Sequence, residues 1–116
     1  MNVPKLFDLS GDTAVVTGAG RGIGEGIARV IAGAGAGVVL AARRTEEIER
    51  VAEKIRKDGG RAIAVTTDVT DEDAVEALAQ AACDEFDGLD IWVNNAGGSP
   101  ISQPLTELSR EEWDAT

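Results

Sequence analysis

Apolar residues in this chain fall into two kinds of pattern. Four runs are continuously apolar: Ala14-Val15-Val16, Val38-Val39-Leu40-Ala41, Ala62-Ile63-Ala64-Val65 and Ile91-Trp92-Val93. None alternates with polar residues, so they predict strands covered on both faces, as in a parallel sheet. Between them, apolar residues recur at helical spacing: Ile23, Ile27, Val30, Ile31; then Ile48, Val51, Ala52, Ile55; then Val75, Leu78, Ala79, Ala82, Phe86. Each set predicts a helix with one apolar stripe toward the sheet. Thr70 with Asp73 three residues later reads as the N-cap of the third helix. Gly33, Gly35 and Gly37, Gly59-Gly60 and Gly88 supply helix stops. On the second helix, Glu46, Glu47, Glu49 and Glu53 interleaved with Arg50, Lys54 and Lys57 predict i, i+4 ion pairs on an exposed face. A loop follows from Gly97 to Thr106, and Ser109-Arg110-Glu111-Glu112 reads as a capping box opening a further helix.

Strand–helix three times, then a fourth strand, places the chain in the α/β class. At 116 residues it makes about one domain, and its 43% hydrophobic content is too high for disorder. No run approaches a membrane span and no signal-peptide core opens the chain, which predicts a soluble, cytoplasmic protein without membrane partners. The single cysteine, Cys83, excludes an internal disulfide and is expected to pack as a small side chain on the third helix; Trp92 is expected to pack under a helix. Histidine is absent, so no metal site is expected, and tyrosine is absent too, which removes two common acid–base groups. The net charge of −10 disfavours nucleic acid as a partner. That charge is uneven: residues 1–61 hold ten basic and eight acidic residues, whereas residues 62–116 hold Arg110 against thirteen acids.

The first strand runs into Thr17-Gly18-Ala19-Gly20-Arg21-Gly22-Ile23-Gly24 and then the first helix. Glycines there let the backbone turn sharply and approach a phosphate, which the N–H groups and dipole of the helix N-terminus can hold. The spacing is G-x-x-x-G-x-G, through Gly18, Gly22 and Gly24, neither G-x-G-x-x-G nor a P-loop. Two further groups close later strands: Asp68-Val69 after the third, and Asn94-Asn95-Ala96-Gly97 after the fourth. Each alone reads as a turn. All three together sit at the carboxyl ends of strands, where ligands bind open α/β sheets.

With T-G-x-x-x-G-x-G and N-N-A-G at this separation, the chain resembles the short-chain dehydrogenase/reductase family along its whole length. The resemblance implies a Rossmann-type doubly wound parallel sheet, here four strands in the order 3-2-1-4, with two helices on one face and one on the other. It implies that residues 1–116 are the N-terminal portion of an NAD(P)-binding domain. Gly18, Ala19, Gly20, Arg21, Gly22, Ile23 and Gly24 would line the pyrophosphate of a nicotinamide dinucleotide. Asp68 would accept from the adenine amino group, with Val69 beside it. Asn95, Ala96 and Gly97 would lie on the adenosine ribose side, and Asn94 would brace the central strands. The implied activity is hydride transfer between nicotinamide and a small-molecule carbonyl or secondary alcohol, in a homo-oligomer.

The family's catalytic asparagine, serine, tyrosine and lysine would fall past Thr116, so no catalytic residue is expected here and the chain alone is expected to be inactive. NADP(H) is expected over NAD(H). An NAD enzyme places a carboxylate about 20 residues past the glycine loop. Here that place reads Ala41-Ala42-Arg43-Arg44, and a guanidinium suits a 2′-phosphate. Arg21 would add a second contact, while Glu46 and Glu47 are expected to point to solvent. Two alternatives are a non-catalytic dinucleotide-binding fragment and another nucleotide enzyme, such as an S-adenosylmethionine enzyme, on a related sheet. A Tyr-x-x-x-Lys in the sequence that follows would decide for the enzyme against the first and a stop codon for the first, while the second does not expect N-N-A-G.

Overall fold

The computed structural model describes residues 8–95. The elements alternate as β1 (Thr13–Thr17), α1 (Gly22–Gly33), β2 (Gly37–Ala42), α2 (Thr45–Lys57), β3 (Arg61–Thr66), α3 (Glu72–Phe86) and β4 (Ile91–Val93). All strand pairs are parallel and the order is β3-β2-β1-β4, as the apolar runs and the family resemblance predict. The loop and capping box expected after Gly97 lie outside the described residues.

β1 is buried along its full length, and β2 nearly so, because helices cover both faces. On one face Val16, Val38 and Leu40 pack with Ala28 and Ala32 of α1 and Ile48, Val51, Ala52 and Ile55 of α2. On the other, Val15, Val39 and Ala41 pack with Leu78 and Ala82 of α3, and Trp92 joins them. This is the expected division of two helices and one. At the start of β4, the Asp90 carboxylate accepts from the Thr13 N–H at 2.8 Å and the Asp90 N–H donates to the Thr13 carbonyl at 2.9 Å, tying β4 to β1.

Several local expectations are corrected. On α1 the helical period is right and its phase half right: Ile27 and Ile31 pack half-buried against the core. Ile23 and Val30 are 75% and 47% exposed, while Gly24, Ala28 and Ala32 face the sheet. Residues four apart share a helix face, and small ones let the helix axis ride close to β1 and β2. The N-cap of α3 is Asp71, not Thr70: the Asp71 carboxylate accepts from the N–H groups of Asp73 and Ala74. The Thr70 hydroxyl donates instead to Asp68. Of the expected helix stops, Gly35 and Gly59 adopt the left-handed conformation, but α3 ends on Asp87 at φ 63° rather than on Gly88. Cys83 is exposed on α3, not packed. The ion pairs of α2 also differ: Arg50 and Lys54 reach across to Glu25 on α1, and the pair within α2 is Glu53 with Arg56.

Candidate functional site

The parallel sheet brings the ends of β1, β2, β3 and β4 to one rim, and the glycine loop sits at its centre. Gly18 and Gly22 have φ of 63° and 60°, a region that L side chains rarely adopt. Gly24 faces inward. A Cβ there would run into the Gly18 carbonyl and stand 2.6 Å from the Asn95 side-chain nitrogen. A Cβ on Gly20 would stand 2.8 Å from Cβ of Glu47, so α2 closes one side of the loop. A Cβ on Gly22 would meet open space. The loop is therefore packed against protein at Gly20 and Gly24 and open at Gly22.

Its main chain is tied down from three directions. The Ala19 N–H donates to the Ala41 carbonyl at the end of β2 (3.3 Å). Asn95 Nδ2 donates to the Gly18 carbonyl (3.4 Å), and Arg50 Nη2 donates to the Gly20 carbonyl (3.1 Å). Behind the loop, the buried Thr17 hydroxyl accepts from the Asn95 N–H at 2.9 Å and lies within donor reach of the Asn94 side-chain oxygen and the Val93 carbonyl. Asn94 thus ties the end of β4 to the end of β1, the first of which lies at the edge of the described sheet. Asn95 braces the glycine loop as well. α1 then begins at Gly22 with Arg21, exposed and extended, at its N-cap and no side chain capping it. Its first N–H groups have no intrahelical acceptor, which makes this end an anion site in waiting.

The neighbouring strand ends carry the remaining candidates. Arg43 is exposed after β2, and Arg44 is the N-cap of α2, with no side-chain capping bond. Asp68 is exposed after β3. One of its carboxylate oxygens accepts from the Thr70 N–H and hydroxyl, and these bonds, aided by the charge of Arg43, hold its carboxyl below the usual range. Arg43 and Asp68 are therefore brought to the same stretch of rim. Ile23 is exposed beside Gly22, and Val69 is half-buried. Glu46 is exposed as expected, but Glu47 is half-buried against Gly20, a correction to the expectation that it points to solvent. Ala96 and Gly97 lie outside the described residues.

The family model for short chain dehydrogenases matches residues 12–116. The chain belongs to the short-chain dehydrogenase family. An uncharacterised oxidoreductase of Staphylococcus aureus is 43% identical over 107 residues, covering 92% of this chain and 45% of that protein. Among solved structures, a metagenomic short-chain oxidoreductase in complex with NADP is similar at TM-score 0.74 and 43% identity, over 92% of this chain and 48% of that one. A 7α-hydroxysteroid dehydrogenase complexed with NADH and 7-oxo glycochenodeoxycholic acid is similar at TM-score 0.79 and 36% identity, over 97% of this chain and 44% of that one. The chain thus spans about half the length of these relatives.

In this member of the family, the motif marks the glycines and not the residues that hold them. Thr17 is part of the motif without a role, Arg50 and Glu47 read as charges on an exposed helix face, and Glu25 stands in no pattern. Only the packing of α1 against α2 brings Arg50 to the Gly20 carbonyl and to Glu25, 30 and 25 residues away in sequence. No local signal marks them. Among the described residues no helix is long and apolar enough to cross a membrane, and no cluster of His, Cys, Asp or Glu is arranged to hold a metal ion.

Proposed function

We propose that residues 1–116 form the cofactor-binding portion of an oxidoreductase that transfers hydride between NADP(H) and a small-molecule carbonyl or secondary alcohol. The observation that carries the reading is the uncapped start of α1, framed by glycines that leave no room for side chains where the loop is packed and none in the way where it is open. That shape and charge suit a pyrophosphate. Gly18, Ala19, Gly20, Arg21, Gly22, Ile23 and Gly24 would hold it, with Asp68 and Val69 at the adenine and Asn95, Ala96 and Gly97 beside the ribose. The bound nicotinamide would supply the hydride acceptor or donor. A proton donor for the substrate oxygen would come from outside these residues, because the chain has neither Tyr nor His. The whole protein is proposed to work as a homo-oligomer.

The preference for NADP(H) rests on Arg43 and Arg44 at the end of β2, with no carboxylate at Ala42. A guanidinium donates paired, charge-assisted hydrogen bonds to a phosphate, a stronger interaction than a neutral ribose hydroxyl offers. Glu47 against Gly20 favours the second reading, NAD(H), because a carboxylate close to the loop would oppose a 2′-phosphate. Arg43→Ala in the complete protein separates the two. It is expected to weaken NADPH binding by about 1–3 kcal/mol and leave NADH unchanged. Equal losses for both cofactors, or a parent protein that prefers NADH, would show the assignment to be wrong.

A further inference from the structure

We infer that Arg50 is a positioning residue for the phosphate-binding loop: it fixes the Gly20–Arg21 peptide so that the Arg21 N–H is presented to an anion, and it neutralises the carboxylate of Glu25 in the first turn of α1. The inference rests on the dinucleotide-binding reading above and goes beyond it, since Arg50 lies on α2 and belongs to no glycine-loop motif.

Arg50 Nη2 donates to two acceptors, the Gly20 carbonyl at 3.1 Å and Glu25 Oε1 at 3.0 Å. A trans peptide points its C=O and N–H in opposite directions. Drawing the Gly20 carbonyl toward α2 therefore turns the Arg21 N–H away from α2. That N–H donates to no protein group among the described residues. The Gly18–Ala19 peptide differs, because its carbonyl and its N–H are both engaged by protein. Glu47 makes the arrangement rigid, since its Cβ lies against Gly20 and α2 thus holds the loop by packing and by hydrogen bond.

Charge gives the second argument. A carboxylate in the first turn favours the dipole of an empty helix and competes with an anion arriving at the same end. Glu25 is in that position, and its side chain is only 16% exposed. Burial pushes its carboxyl up, but hydrogen bonds and charge from Arg50, then from Lys54 at 3.4 Å, outweigh this and keep it ionised below the usual range. Arg50 therefore offsets the charge of Glu25 at this helix end, with Lys54 a longer contact to the same carboxylate. Among the described residues the Lys54 side chain bonds to Glu25 alone, whereas Arg50 also bonds to the loop, and this difference provides the control.

NADPH would be titrated by fluorescence into the complete protein and its variants. Arg50→Met is expected to weaken binding about tenfold, the loss of a hydrogen bond to a charged group. Lys54→Met, which removes a half-exposed ion pair, is expected to stay within about twofold of the parent. Amide hydrogen exchange without nucleotide should quicken over residues 18–24 in Arg50→Met while β2 and β3 keep their protection, which a general loss of stability would not produce. If Arg50→Met does not fold, Arg50→Gln carries the same expectation at this half-exposed position. The inference is overturned if the Arg50 variants bind NADPH as the parent does, or if Lys54→Met loses as much as they do. A parent that binds neither NADPH nor NADH overturns the dinucleotide reading, and this inference with it.

Discussion

Thr17 ends the first strand with a buried hydroxyl, and that hydroxyl is where β1, β4 and the glycine loop meet. It accepts from the Asn95 N–H and stands within donor reach of Asn94 and Val93. Thr17→Val keeps the shape and removes the oxygen, leaving buried polar groups unpaired. It is expected to cost about 1–3 kcal/mol in urea denaturation of the complete protein. Thr66→Val, which removes an exposed hydroxyl at the end of β3, should cost much less; equal losses would mean that burial of the pairing does not matter. The contrast shows what single residues reveal. Gly18 and Gly22 were legible because their backbone conformation excludes other residues, so their spacing carries the geometry. Thr17 and Arg50 were not, because each acts on partners far along the chain.

Elements were more legible than their edges. The apolar runs mark all four strands: β1 and β2 are covered on both faces and have no polar alternation to blur them, whereas β3 and β4 are mostly half-buried and still read as unbroken apolar runs. The helical periods located all three helices, yet the facing residues of α1 were misjudged in part. Hydrophobicity favours Ile23 and Val30, but the closeness of α1 to β1 and β2 favours Gly24, Ala28 and Ala32. Helix ends were misjudged for a related reason: several adjacent residues can cap, and only the local turn chooses. Thr70 and Asp71 are both competent, and the turn at Asp68 engages Thr70 first. Asp71→Ala is therefore expected to destabilise the protein by about 1 kcal/mol through loss of the cap, and Thr70→Ala by less. Chemical denaturation of the two variants checks this, and the reverse ranking would contradict the assigned cap.

At the scale of the whole molecule, β4 pairs only with β1 among the described residues, and its three residues are half-buried, not buried. Strands with an unpaired edge and apolar residues in reach of solvent tend to associate. A polypeptide of residues 1–116 alone is expected to show a sedimentation coefficient that rises with concentration and to oxidise no NADPH in the presence of ketones. A concentration-independent monomer, or turnover above the cofactor-only rate, would contradict these expectations. The glycine octapeptide also depends on this larger frame. Its carbonyls are held by Asn95 from the end of β4 and by Arg50 from α2, and its inward glycine fits beneath that same asparagine. The motif is consequently not a portable module. Transplanted with its own strand and helix into another protein, it would bring the turn and leave behind the struts, and any piece of this chain that stops short of Asn95 carries the letters of the motif without its shape.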